Sequence, residues 1–105
     1  MNFNAYQKQA METKLVTNPN YFFLGLANEA GEACGKLKKI IRDQGGVLTP
    51  EACQDIASEL GDVLWYVAGC ADALGIKLDT IAKNNIAKLA DRKARGVLQG
   101  SGDNR

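Results

Sequence analysis

The sequence has 105 residues, of which 46% are hydrophobic and 24% charged, with a net charge of +1 and no histidine. This length predicts one domain spanning residues 1–105, and the near-zero charge gives no electrostatic reason to expect a nucleic-acid partner. Without histidine, the chain has neither a Ser-His-Asp triad nor the Glu-x-x-His ligand pairs of di-iron bundles.

Turn and capping residues divide the chain into four predicted helices. Asn4 is the predicted N-cap of the first helix, which runs to about Leu15 and ends before the turn-forming residues 17–20. The second helix is predicted from about Tyr21 to Arg42, ahead of two consecutive glycines.

The third helix has the clearest start signal: Thr49 as N-cap, Pro50 as first helical residue, and an acidic residue beside the positive end of the helix dipole. It reaches Leu74. The fourth helix begins at Asp79 or at the nearby Lys77-Leu78 and ends near Arg95, and a glycine follows each of these two helices. Residues 96–105 are predicted to form a flexible C-terminal tail. No period-2 strand pattern is present, so the predicted fold is all-α, a four-helix bundle-like arrangement completed by a second subunit.

Two of these helices carry carboxylates three residues apart, Glu29 with Glu32 and Glu59 with Asp62, and this spacing places each pair on one helix face. Glu29 falls on the apolar stripe of its helix, while Glu59 and Asp62 flank the stripe of theirs. The stripes are Phe22, Leu26, Ala33, Leu37 and Ile40, and Ile56, Leu60, Val63, Val67 and Leu74. Charges at the edge of a core need a partner, the sequence shows no compensating cation on these faces, and Mg²⁺ or Mn²⁺ prefers oxygen ligands. The pattern predicts a divalent metal site, with solvated helix faces as the alternative.

The fourth helix carries a second polar anomaly. Asn85 lies at the edge of its apolar stripe, and Lys88 and Arg92 continue the same row. These residues suit a polar, anionic ligand, unless the amide only bonds neighbouring backbone and the cations are solvated. Lys36 follows Glu32 at i+4 and is either a salt-bridge partner or an anion contact.

The cysteine pattern and the lack of targeting segments predict where in the cell the protein is located. Cys34, Cys53 and Cys70 are an odd number without C-x-x-C spacing, which argues against a disulfide framework or a zinc site. We expect them to be small buried hydrophobes, and a catalytic cysteine has no histidine to activate it. No membrane-length apolar run or secretory signal pattern is present, so we expect a cytoplasmic protein without a membrane partner.

Three motifs occur in order: Glu29-Ala30-Gly31-Glu32, the run Glu59-Leu60-Gly61-Asp62-Val63-Leu64-Trp65-Tyr66, and Asn85-Ile86-Ala87-Lys88-Leu89. Together they resemble the MazG-type, all-α nucleoside triphosphate pyrophosphohydrolases over most of the chain. The resemblance implies an Mg²⁺-dependent enzyme that hydrolyses a nucleoside triphosphate to the monophosphate and pyrophosphate, as a homodimer or dimer of dimers. The family pattern E-E-x-x-E has Asn28 at its first position here, so the metal-ligand role carries over only to Glu29, Glu32, Glu59 and Asp62. The resemblance leaves the preferred base open.

The resemblance also implies roles for the other polar residues. Water attacks between the α- and β-phosphates, with a metal-bound hydroxide, Glu32 or Glu59 as general base, and Lys88 stabilises the developing charge. The substrate-binding residues are then Lys36, Asn85, Lys88, Arg92 and Arg105, the last through a tail folded over the nucleotide. Tyr6 or Trp65 stacks on the base, although a core position suits Trp65 better. The alternatives are a relative that binds nucleotide without turnover, and a helical interaction module with structural carboxylates.

Overall fold

The structure, a computed structural model, describes residues 1–105 and contains four α-helices and no strand. The helices are α1 (Phe3–Met11), α2 (Pro19–Gln44), α3 (Pro50–Ala73) and α4 (Leu78–Ala94). The predicted all-α fold class is therefore confirmed. None of the four combines the length and apolar character that crossing a bilayer requires.

Helices α2 and α3 form a long antiparallel hairpin, which is the main tertiary contact of the chain. The hydroxyl of Thr49 accepts the first-turn N–H of Ala52 at 3.1 Å, and Pro50 opens α3, as the sequence predicts. Near the open end of the hairpin, two helical glycines allow aromatic rings to approach the backbone. A Cβ on Gly25 would overlap the Tyr66 ring, and one on Gly69 would overlap the Phe22 ring.

Helix α1 packs on α3 and also caps the start of α4, although α1 and α4 are far apart in the sequence. Lys77, at the N-cap position of α4, makes no side-chain cap. Instead, the N–H of Leu78 donates to Gln7 Oε1 at 2.9 Å, and the N–H of Asp79 donates to Asn4 Oδ1 at 3.1 Å. Two amides of α1 therefore satisfy the free N–H groups at the start of α4. Helix α4 contacts α1 and α3 but not α2, so one chain does not close a four-helix bundle.

The hydrophobic core is small and lies where α1, α3 and α4 meet. Its buried members are mostly alanines, and half-buried larger side chains pack around them. The buried residues are Ala10, Ala68, Ala71 and Leu78, and the surrounding ones are Tyr6, Met11, Trp65 and Val67. Only 10 of the 105 residues are buried, which is little for a chain of this length.

The predicted first helix is wrong at both ends. Asn2 caps α1 by accepting the N–H of Ala5 at 2.8 Å, whereas Asn4 caps α4. The helix stops at Met11, four residues before Leu15. The carbonyl of Ala10 accepts hydrogen bonds from the Thr13 hydroxyl at 2.7 Å and from the Trp65 indole at 3.1 Å, and such side-chain bonds compete with helical backbone bonds.

Three predicted stripe residues are also misplaced, because Leu37, Leu60 and Leu74 are exposed. Leu37 and Leu60 lie on helix faces that are open to solvent, and Leu74 follows the last residue of α3. The cysteines divide in the same way: Cys70 is buried, and burial raises the pKa of its thiol, whereas Cys34 and Cys53 are exposed. The expectation of three buried cysteines is therefore wrong for two of them.

Substituting Gly25 with alanine should destabilise the hairpin, because the new methyl group displaces the Tyr66 ring from its contacts with Tyr21 and Trp65. We expect a loss of about 1–3 kcal/mol in the free energy of unfolding, measured by urea denaturation. The matched control is Gly35→Ala in the same helix, where nothing lies within 4 Å of the added Cβ. That substitution should be neutral or stabilising, since alanine is the better helix former. Equal urea midpoints for the two variants would contradict the close packing at Gly25.

Candidate active site

The hairpin brings three of the four predicted metal ligands together. One carboxylate oxygen from each of Glu29, Glu59 and Asp62 lies within 4.8 Å of the others, and we call this group the carboxylate cluster. Glu29 projects from α2, and the other two project from α3. The Oε2 atoms of Glu29 and Glu59 are buried and have no hydrogen-bond partner. Because a buried carboxylate oxygen without a partner is costly, this arrangement fits a bound cation.

Glu32, the fourth predicted ligand, lies just outside the cluster. Its side chain is exposed, and its Oε1 accepts a long hydrogen bond of 3.5 Å from the amide of Asn28. Glu32 nevertheless affects the pKa of Glu29. Burial raises the pKa of Glu29, and hydrogen bonding with Glu32 and the charges of Asp62 and Glu59 raise it further. The negative charges are therefore crowded enough to disfavour ionisation of Glu29.

One cation approaches the cluster. Lys36 Nζ lies 3.1 Å from Glu59 Oε1 and 2.7 Å from Asp55 Oδ1, both across the hairpin on α3. Hydrogen bonds to Asp55 and Glu59 raise the pKa of Lys36. The sequence-based premise that no cation accompanies these carboxylates is therefore wrong for Glu59. Lys36 does form a salt bridge, although not with Glu32 on its own helix.

An aromatic cleft of about 360 Å³ opens beside the cluster, lined by Tyr21, Glu29, Asp62, Trp65 and Tyr66. The Tyr66 hydroxyl is 3.3 Å from the Tyr21 hydroxyl, and this hydrogen bond and burial raise the pKa of Tyr66 to about 12. The Trp65 indole N–H donates to Thr13 Oγ1 at 2.8 Å and to the carbonyl of Ala10 at 3.1 Å, so this ring is bonded to the C-terminal end of α1 and to the turn after it. Tyr6 is close enough to Asp62 for that charge to add to the effect of burial in raising the pKa of Tyr6.

Tyr21 and Tyr66 are site residues that the sequence pattern does not predict. A signal for them exists in hindsight: Gly25 lies one turn after Tyr21, and glycine inside a helix is costly unless something approaches closely. The approaching group is the Tyr66 ring.

The comparison with known proteins agrees with this geometry. Residues 18–97 match the model of the MazG nucleotide pyrophosphohydrolase domain, which includes the whole hairpin and α4. The chain belongs to the MazG family. It is also 45% identical over 114 aligned residues, covering all of both chains, to the "Gene 37 protein" of Mycobacterium phage L5. No solved structure gives a significant match.

Lys88 and Arg92, the predicted substrate-binding cations of α4, form no hydrogen bond or ion pair with the carboxylate cluster in this MazG chain; their polar partner is in the C-terminal tail. Asn85 is exposed. Lys88 pairs with Asp103 of the C-terminal tail at 2.9 Å, and Arg92 is buried and also bonded to Asp103. The structure thus brings Lys88 and Arg92 together, and their partner is the tail.

Arg105 is engaged within the tail itself. Its guanidinium donates to the carbonyls of Val97 at 3.1 Å, Leu98 at 3.1 Å and Gly102 at 2.7 Å. In this conformation residues 96–105 lie against the end of α4, and the flexibility of the tail stays a prediction. The phosphate contact assigned to Arg105 stays a prediction, as do the roles assigned to Lys88, Asn85 and Arg92.

The crowding of charge predicts how stability of the metal-free protein depends on pH. The pKa of Glu29 is higher in the folded than in the unfolded state, so ionisation of Glu29 disfavours the fold. The penalty is absent below the unfolded-state pKa and develops as the pH rises through the folded-state pKa. In EDTA, Glu29→Gln should therefore melt at a higher temperature than the wild type at neutral pH, and the difference should shrink on acidification. Thermal unfolding monitored by circular dichroism across this pH range is the measurement, and a difference that is constant with pH would contradict the crowding.

Proposed function

We propose that this MazG family member hydrolyses a nucleoside triphosphate to the nucleoside monophosphate and pyrophosphate, with Mg²⁺ as cofactor and in the cytoplasm. The observation that supports this most strongly is the carboxylate cluster with its two buried, unpartnered oxygens. An acidic cluster that is only structural would place hydrogen-bond donors on those oxygens. The binding partner that we expect is the nucleoside triphosphate substrate, and we expect neither a nucleic-acid partner nor a membrane partner.

The donor set fits a hard divalent cation. Glu29, Glu59 and Asp62 would hold it, and Glu32 stands beside them as a further oxygen donor. All are carboxylates, which suits Mg²⁺ and also permits Mn²⁺, and no nitrogen or sulfur ligand is present to favour zinc. The cation, when bound, neutralises phosphate charge and makes water more acidic.

The chain's own residues then have distinct tasks in the proposed reaction. A water oxygen forms a bond to the α-phosphorus, the bond to the bridging oxygen breaks, and pyrophosphate leaves. Of the two candidate bases, Glu59 is already engaged by Lys36, whereas the exposed Glu32 has only a long hydrogen bond from Asn28. We therefore assign the proton acceptor to Glu32 and the holding of the cofactor to Glu59. Lys36 balances charge beside the cluster, and the aromatic cleft offers ring faces to the base.

We also propose that the enzyme is a homodimer or a dimer of dimers. Both arms of the hairpin carry a second apolar stripe that faces solvent. The exposed residues follow heptad spacing and include no charged side chain: Phe23, Ala27, Ala30, Cys34, Leu37 and Ile41 on α2, and Cys53, Ala57, Leu60 and Leu64 on α3. Such stripes are typical of helices that pack against another helix. The radius of gyration of 16.6 Å also exceeds the roughly 13 Å of a compact domain this size.

The second candidate function is nucleotide binding without turnover. It is favoured by Asn28, which replaces a family carboxylate and donates its amide to Glu32, the proposed base. If that hydrogen bond holds Glu32 away from the water, the site binds substrate and does not hydrolyse it.

Product analysis separates these functions. The protein is incubated with Mg²⁺ and each of the common ribo- and deoxyribonucleoside triphosphates, and the products are resolved by ion-exchange chromatography. The proposal expects monophosphate and pyrophosphate in equal amounts from at least one of them. Binding without products would support the second candidate, and a diphosphate product would contradict both.

A further inference from the structure

The end of α4 and the C-terminal tail hold a second group of polar side chains, which bond to one another and not to the carboxylate cluster. Lys88 and Arg92 lie one helical turn apart on α4. Arg92 is only 6% exposed, and its Nε is buried without a hydrogen-bond partner. A guanidinium this deeply buried requires an anion nearby, because its desolvation is otherwise uncompensated.

The anion in the structure is a side chain of the same polypeptide. Asp103 Oδ1 lies 2.9 Å from Lys88 Nζ and 3.2 Å from Arg92 Nη2, and the backbone carbonyl of Asp103 accepts a second bond from Arg92. Lys88 and Arg92 hold the pKa of the Asp103 carboxyl below its usual range. One carboxylate oxygen thus bridges both cations, as a phosphate oxygen can.

The conformation of the tail places the Asp103 carboxylate next to Lys88 and Arg92 and leaves it open to solvent. Gly100 and Gly102 have positive φ values of 101° and 87°, which fold the tail back toward the helix. Arg105 fastens the turn by donating to three tail carbonyls, and Arg95 donates to the carbonyl of Arg105 at 2.6 Å. The Asp103 side chain is still 77% exposed, so it reaches the cations from the solvent side, where a dissolved anion has the same access.

The resemblance to the MazG family assigns Lys88 and Arg92 to substrate binding, and we propose that Asp103 occupies this cation pair in the resting protein, so that a polyphosphate group binds there by displacing the tail. The identity of the ligand as the triphosphate of a nucleotide rests on the proposed function, whereas the competition between Asp103 and an oxyanion does not. In this proposal the tail weakens the binding of a polyphosphate group. If Arg105 instead contacted a phosphate, the tail would strengthen that binding.

Calorimetric titration with inorganic tripolyphosphate in EDTA tests the competition, since removing divalent metal leaves the carboxylate cluster no means of attracting an anion. Asp103→Asn should bind tripolyphosphate about two- to fivefold more tightly than the wild type, the range expected for releasing an exposed ion pair. The control is Asp91→Asn, which removes an equal charge from a carboxylate on the same helix that pairs with Arg95 and not with Lys88 or Arg92. Asp91→Asn should leave the affinity near the wild-type value. Equal affinity of the two variants, or weaker binding by Asp103→Asn, would overturn the proposal.

Two further measurements locate the effect. Introducing Lys88→Gln into both the wild type and Asp103→Asn should shrink the difference in affinity between them, because Arg92 is then the one cation for which Asp103 and tripolyphosphate compete. Hydrogen exchange of wild-type residues 97–105 should speed up when tripolyphosphate is added, as the tail leaves α4. Unchanged or slower exchange of the tail at saturating tripolyphosphate would refute displacement. None of these measurements requires catalysis. They can therefore confirm the competition between Asp103 and tripolyphosphate even if the protein hydrolyses no nucleotide, and they can refute the competition even if it does.

Discussion

Glu59→Gln is expected to abolish turnover, with kcat falling by at least about 100-fold. The carboxylate of Glu59 is shared between the cluster and Lys36, and its second oxygen is buried without a partner. The amide that replaces it is neutral and is a weaker donor to Mg²⁺, so both the charge and the affinity of the site decrease. Steady-state kinetics at saturating Mg²⁺ should still show a kcat well below the wild-type value, because a filled site in the variant has one negative charge fewer.

The matched control for this variant is Glu51→Gln, an exposed carboxylate in the first turn of the same helix. It should retain near wild-type kinetics and lose only a small helix-dipole contribution to stability. Circular dichroism should show the same helix content for both variants. Wild-type activity in Glu59→Gln, or equal losses in both variants, would refute the role assigned to the cluster.

Leu60→Asp is expected to convert the assembly to monomers. Leu60 is 56% exposed in one chain and lies in the middle of the apolar stripe of α3. In a twofold interface each substitution occurs twice. Losing two buried leucine contacts at about 2 kcal/mol each corresponds to roughly a thousandfold increase in the dimer dissociation constant. Light scattering over a dilution series measures this.

The control for the interface variant is Leu15→Asp, at a leucine that is 96% exposed in the loop after α1 and lies outside both stripes. It introduces the same charge and should leave the oligomeric state unchanged. A wild-type protein that is already a stable, active monomer would contradict the proposed assembly.

The sequence was sufficient for features that depend on neighbours within one helix. The i, i+3 spacing places Glu59 and Asp62 on one face, and the position of Glu29 on an apolar stripe indicates that it turns inward. The start of α3 is likewise local, because Thr49 bonds a backbone N–H three residues away. These elements of the candidate site and the all-α fold class could therefore be predicted before the structure.

Features that depend on distant residues could not be predicted in the same way. Nothing within α2 shows that Lys36 pairs with Asp55 and Glu59 of the opposite arm, since helical spacing reveals only partners on the same helix. The capping of α4 by Asn4 joins residues at opposite ends of the chain. Leu60 was assigned to the core because both faces of α3 carry apolar residues at helical spacing, and the pattern does not state which face meets α2.

Crystals grown with Mn²⁺ in place of Mg²⁺ allow the metal to be located in an anomalous diffraction map. We expect a peak bounded by the carboxylates of Glu29, Glu59 and Asp62, and no such peak in crystals of Glu59→Gln grown under the same conditions. A wild-type map with no peak at the cluster, or with its Mn²⁺ bound elsewhere on the chain, would contradict the claim that the hairpin builds a divalent metal site.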